Sequence, residues 1–174
     1  TTAAIIYDKT LKDYPNLYFA DPTMKDLAFV LAKDDPAAIE AAAKIAFYLG
    51  ANGNTTFADL AAVFADDVPE QIRDEHNLII IGRATTLPIL QEINAQLPAP
   101  FGENSDQTNQ DVMLVNYSLP PGVNVGYIQF LKSPWNPDKN ILTVTGNTES
   151  GLPMAANALV TDSLQVQLTG NYAI

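Results

Sequence analysis

The residues of this chain best placed to do chemistry are Thr143-Val144-Thr145-Gly146-Asn147-Thr148-Glu149, which stand between an apolar run and a helix-like segment. A glycine turn flanked by hydroxyls, leading from a strand into a helix, can seat a phosphate on backbone N–H groups and the helix dipole. Gly146 and Gly151 have the glycine spacing of a nucleotide P-loop, but Leu152 and Pro153 stand where a lysine and a hydroxyl should follow. Without that lysine nothing neutralises the β- and γ-phosphates, and Glu149 repels them, so nucleotide hydrolysis is set aside.

The hydroxyls of Thr143, Thr145 and Thr148, with Asn147, around Gly146 resemble the phosphate loop of flavodoxins, where such groups hold FMN at a helix start. The order of elements argues the other way. Flavodoxins carry this loop after the first strand, whereas here it follows the last or next-to-last one. The first clear strand ends in Lys33-Asp34-Asp35-Pro36, whose carboxylates repel phosphate. Only 23 residues follow Gly151, too few for the later loops an isoalloxazine ring needs, so a flavin site would require a permuted chain. Plain helix capping also favours Gly, Asn, Thr and Ser in such a turn.

A second constellation is Ser133-Pro134-Trp135-Asn136-Pro137, with the only tryptophan of the chain between two prolines. A tryptophan on a stiff loop can stack on a sugar ring or anchor a partner, or it can cover the end of its own core. Pro134, Trp135, Asn136 and Pro137 are therefore the candidate partner- or glycan-contacting residues. The pairs Asp34-Asp35 and Asp66-Asp67 could meet a divalent cation, but no third ligand can be named and each also suits a helix cap. His76 lies in a charged stretch and reads as a solvated residue. Arg83, after Gly82 at a strand end, reads as one half of an ion pair. Asn54-Thr55-Thr56 and Asn116-Tyr117-Ser118 match the short glycosylation acceptor pattern.

Composition removes whole classes of function. Nine Lys and Arg against 20 Asp and Glu give a net charge of −11, and only Lys132 and Lys139 are basic after Arg83. Such a surface repels nucleic-acid backbones and anionic membranes. No cysteine is present, so disulfides, thiol catalysis and thiolate metal sites are absent; one histidine leaves no imidazole pair for zinc. No catalytic, metal or cofactor-binding residue is assigned. No apolar run reaches membrane-spanning length and no signal peptide is visible. The chain begins at Thr1 without methionine, as expected of a piece of a longer or processed protein.

The elements that must position these groups read as follows. Asp26 to Ala32 holds a buried strand, and Asp35-Pro36 opens an alanine-rich helix to about Leu49, with Ile39, Ala42, Ala43, Ala46 and Leu49 on its inner face and Gly50 as its stop. Leu60 to Phe64 is a strand or a short helix; Asp66 to Asn77 holds a helical turn. Leu78-Ile79-Ile80-Ile81 is a buried strand, and a helical stripe starts near Pro88. Leu97 to Gln110 reads as a long surface loop. Val112 to Tyr117 and Val125 to Leu131 read as a hairpin joined by Leu119-Pro120-Pro121-Gly122. Ile141 to Thr145 is a strand, Leu152 to Thr161 a helix, and Leu164 to Ile174 alternates apolar residues. Alternation of strands and helices predicts an α/β domain over 26–174, with a largely parallel sheet, helices on both faces and an added antiparallel hairpin. Residues 1–25, with Ile5-Ile6-Tyr7 and Tyr14, Tyr18 and Phe19, read as a lead-in segment or the remnant of a preceding domain.

From Asp26 onward the chain resembles the flavodoxin-like domain of the BcsB family of bacterial cellulose synthase regulatory subunits. The carrying blocks are Leu31-Ala32-Lys33-Asp34-Asp35-Pro36 with the helix ending at Leu49-Gly50, Asn77 to Arg83, Leu131 to Pro137, and Ile141 to Thr148 with Gly151-Leu152. The resemblance implies a three-layer flavodoxin-like or Rossmann-like sandwich without flavin or chemistry. It implies an extracytoplasmic protein alternating carbohydrate-binding sandwiches with such domains, anchored in the membrane near its C-terminus beside the glycan-polymerising glycosyltransferase subunit. In that setting the domain would contact its neighbours, that subunit and possibly the nascent glucan, and would meet the membrane only through the anchor. The family is often named for cyclic-di-GMP binding, but no arginine-rich motif here could meet two phosphates. The alternatives left open are an FMN-binding electron-transfer domain and a carbohydrate-binding module.

Overall fold

The apolar run after Asp26 forms β1 (Leu27–Leu31), covered on both faces as an interior parallel strand must be. This is a computed structural model that describes residues 9–53, 57–109 and 122–174, with the backbone pairs 111–112 and 115–116. Asp35 caps α1 (Pro36–Asn52) and Pro36 fills its first position. The helix runs through Gly50, expected as its stop, and the cap is Gly53, whose N–H donates to Leu49 O at 2.8 Å. Its buried stripe is Ala38, Ala41, Ala42, Ile45 and Leu49. Ile39, expected to face inward, is half exposed because the sheet takes up Ile45 and Leu49 instead.

Next come β2 (Ala61–Phe64), α2 (Glu70–Glu75), β3 (Asn77–Gly82) and α3 (Pro88–Ile93). Then follow β4 (Asp111–Val112), β5 (Val115–Asn116), β6 (Gly126–Lys132), β7 (Asn140–Gly146), α4 (Gly151–Val160), α5 (Asp162–Gln165) and β8 (Tyr172–Ala173). Six strands form one sheet in the order β2-β1-β3-β7-β6-β8. The β2-β1, β1-β3 and β3-β7 pairings are parallel, and β6 runs against both β7 and β8. The domain is therefore a mixed α/β structure.

The antiparallel addition exists, but not where the turn residues placed it. β6 pairs with β7 along its whole length, from Gly126 opposite Gly146 to Lys132 opposite Asn140. The partner expected for it, Val112 to Tyr117, holds β4 and β5, which instead fold back on each other with Val112 opposite Val115. The turn that closes the real hairpin is Ser133 to Lys139, with Ser133 N–H donating to Lys139 O at 2.9 Å. Residues 117–121, which hold most of the expected turn, lie outside the described residues, as do Ile5-Ile6-Tyr7, Asn54-Thr55-Thr56 and, of the second acceptor pattern, Tyr117-Ser118. The final segment, where apolar residues alternate, holds the end of α5 and the two-residue β8.

α1 and α4 pack side by side, α4 lying against β6 and β7. On the other face Gln129 Oε1 accepts from Ala99 N–H at 2.8 Å, and Tyr127 meets Phe101 edge-on at 5.9 Å. Between the layers Leu78 to Ile81, Ile141, Leu142 and Val144 are fully enclosed. Two 3-10 turns of the lead-in, Leu11–Asp13 and Asn16–Phe19, carry Leu11, Tyr14 and Tyr18 into this same core. Leu11 N–H donates to Gly170 O at 2.8 Å, so the early and late parts of the chain touch.

Candidate functional site

The glycine turn after β7 is built around Asn147 rather than around a ligand. Its Oδ1 accepts from Val125 N–H at 2.9 Å and its Nδ2 donates to Val123 O at 2.8 Å, so one amide binds the strand-leading segment as another strand would. Thr148 Oγ1 donates to Asn124 Oδ1 at 2.7 Å and accepts from Gly151 N–H at 3.0 Å. Leu152 N–H donates to Thr148 O at 3.3 Å. The first amides of α4, which a phosphate would need, are thus spent on Thr148. Space is closed as well: a Cβ on Gly146 would meet the Leu152 backbone, and one on Gly151 would meet Val125 O. Thr143 and Thr145 are wholly buried in the sheet, so their hydroxyls do not reach the turn.

The topological switch point lies between β1 and β3, whose chains depart in opposite directions, and open α/β sheets bind ligands beyond the strand ends there. Here that crevice is filled. Gly82, at φ +151°, lets Ala32 come so close that a Cβ on Gly82 would lie 2.6 Å from Ala32 Cβ, with Leu87 behind it at 3.3 Å. The neighbouring N-terminus of α1 is occupied by its own carboxylate. Asp35 Oδ1 accepts from Ala37 N–H at 3.0 Å and Ala38 N–H at 3.2 Å, sitting where a phosphate would.

The tryptophan loop lies at the opposite end of the sheet, where the parallel strands begin. Asn136 Oδ1 accepts from Asp138 N–H at 3.0 Å to shape the turn, and Asn136 Nδ2 donates to Asp74 O at 2.7 Å, just before β3. Lys139 Nζ reaches Asp26 Oδ2 at 2.9 Å, just before β1. Trp135 is half-buried against the core, and the Arg73 guanidinium lies 5.3 Å from its ring centroid, itself held by Asp74 at 2.8 Å. Trp135 and Asn136 therefore stitch the β6–β7 turn to the α2–β3 connection, while Pro134 and Pro137 remain exposed. Trp135→Ala is expected to lower stability by about 2 kcal/mol, below the range for a fully buried ring, as read by urea denaturation. An unchanged urea midpoint would show that the ring does nothing for its own domain.

The acidic pairs separate. Asp35 is a cap; Asp66 binds Lys33 Nζ at 2.9 Å. That hydrogen bond holds the Asp66 carboxyl below its usual range and the Lys33 ammonium above its own, but both are exposed and the pair adds little stability. Asp66 and Asp67 do not cap α2, whose cap position is Pro69 with no side-chain bond. No cluster of three metal-ligating side chains occurs among the described residues. His76, expected to be solvated, is half-buried with Nδ1 enclosed. Arg83 has no ion-pair partner among the described residues, and its Nε is buried without a hydrogen bond, contrary to the expected pair.

Fold and site define a mixed α/β domain whose anion seats and strand-end crevice are filled by its own atoms. Over residues 10–173 the chain matches the family model described as "Cellulose synthase BcsB, first FD domain", and it belongs to that family. No curated protein matches it.

Proposed function

We propose that this is a non-catalytic domain of the membrane-anchored, exported subunit of a cellulose or related exopolysaccharide synthase. It supports glycan synthesis and translocation through contacts with neighbouring domains and with the catalytic glycosyltransferase subunit, on the extracytoplasmic side. No helix among the described residues is long and apolar enough to cross a membrane, so in this reading the anchor belongs to another part of the subunit. The observation that carries the reading is the family match, joined to the self-filled seats at Asp35, Gly82 and Gly146. Those seats also weigh against the flavin reading. Titrating the purified domain with FMN is expected to leave the flavin spectrum unchanged; stoichiometric uptake would overturn this proposal. Removing residues 10–173 from the full-length subunit is expected to lower glucan output of the reconstituted complex. Undiminished output would equally refute it.

A further inference from the structure

The stretch expected as a long surface loop is folded on itself and clamped from two sides. Asn94 holds it from the end of α3, accepting from Phe101 N–H at 2.8 Å and donating to Phe101 O at 2.9 Å. Asp106 holds it from the β3 side, its Oδ1 accepting from Thr85 N–H at 2.8 Å and Thr85 Oγ1 at 3.0 Å. Within it, Gly102 N–H donates to Gln107 O and Asn109 N–H to Pro100 O. A connection of this length that is so fixed is usually functional, and a preformed site binds without an ordering penalty.

Between this loop, the β3–α3 connection and the second half of α3 lies a pocket of about 200 Å³. That is room for about seven waters, which suits a single six-membered ring. Its inner wall is apolar, made by Ala84, Leu90 and Phe101, and its rim carries Gln91, Glu103 and Ser105. Neither the Gln91 amide nor the Glu103 carboxylate has a partner among the described residues, and Ser105 Oγ accepts from Gln107 N–H while its own hydrogen stays free to donate. No Lys, Arg or His lines the pocket, and Glu103 stands on its rim, so it offers an anion no countercharge. An apolar wall for a ring's C–H face, with amide, carboxylate and hydroxyl groups for its hydroxyls, is chemistry for a neutral sugar. The pocket also lies beyond the C-terminal end of β3, the end where such sheets bind ligands.

We infer that this pocket seats one pyranose unit of a neutral β-linked glucan. The choice of glucan rests on the proposed function; the preference for an uncharged sugar rests on the lining alone. Trp135, at the other end of the sheet and covered by Arg73, takes no part. The test is to titrate the isotope-labelled domain with cellotetraose and, separately, maltotetraose while following backbone amide resonances. Cellotetraose is expected to shift residues 84–105 at millimolar concentration, with affinity falling about tenfold in Gln91→Ala and in Glu103→Ala. Both positions are exposed, and retained resonance dispersion verifies that the variants are folded. No shift in 84–105, equal shifts with maltotetraose, or shifts centred on Trp135 would each overturn the inference. If the sugar fails to bind but removal of residues 10–173 still lowers glucan output, the pocket assignment alone falls and the scaffold role stands.

Discussion

Gly151→Ala is expected to destabilise the domain by about 3 kcal/mol or more, well above the cost of an ordinary substitution. The added methyl would overlap Val125 O and lie 2.8 Å from Val125 C, and backbone atoms cannot swing aside as a side chain can. To admit it, α4 must lift from β6, loosening Leu152, Ala155 and Leu159, all buried in that seam. For a chain of this length the loss corresponds to a melting temperature lower by roughly 6–12 °C, measurable by circular dichroism. Gly50→Ala is the paired control. A Cβ there meets nothing within 4 Å inside α1, so the same methyl should stabilise by about 0.5–1 kcal/mol. If both variants melt like the parent, the close approach of α4 is not what sets stability at this edge.

Alkaline pH is expected to unfold the domain through two tyrosines. Tyr14 and Tyr18 are 4% and 2% exposed, meet edge-on at 6.0 Å, and bury hydroxyls that have no hydrogen-bond partner among the described residues. Burial raises the pKa of both phenols well above the ordinary value, and the proximity of Tyr18 adds to the rise at Tyr14. Below about pH 10 both groups are neutral whether the chain is folded or not, and their contribution is complete. Above it only the unfolded chain releases the protons, so stability falls as pH rises, by up to about 1.4 kcal/mol per pH unit for each tyrosine. Tyr14→Phe and Tyr18→Phe should move the alkaline unfolding midpoint upward. At neutral pH they should cost little, since each removes an unpartnered buried hydroxyl. A double variant with an unmoved midpoint would show that other groups drive the transition.

What could be read directly from the residues was whatever local chemistry decides. Asp35-Pro36 announces the start of α1 because a carboxylate cap and a fixed φ act within one turn, and Leu78 to Ile81 announces β3 because only an interior strand is apolar on both faces. The α/β class, though not the mix of parallel and antiparallel pairings, follows from that alternation. The partner of β6 did not, because Pro120-Pro121-Gly122 and Ser133 to Lys139 are both credible turns, and pairing is settled by distant side chains. Asn136 to Asp74 and Lys139 to Asp26 are separated by 62 and 113 residues, beyond the reach of local pattern. The pocket beside Phe101 was hidden for the same reason. Its clamps are single Asn and Asp side chains in a stretch whose composition reads as any polar loop. Asn147 reads locally as a group that could hold a phosphate; its use as a surrogate strand partner depends on Val123 and Val125, more than twenty residues earlier.

The bond between Leu11 and Gly170 has a mechanical meaning. A domain tugged by whatever flanks residues 10–173 receives the load and passes it on at nearly one spot. Five of the six strands lie between Leu11 and Gly170 in the chain and β8 follows directly. A pull from the C-terminal side therefore meets the short β6–β8 pairing first, and the other five strands take load only after that pairing and this crossing part.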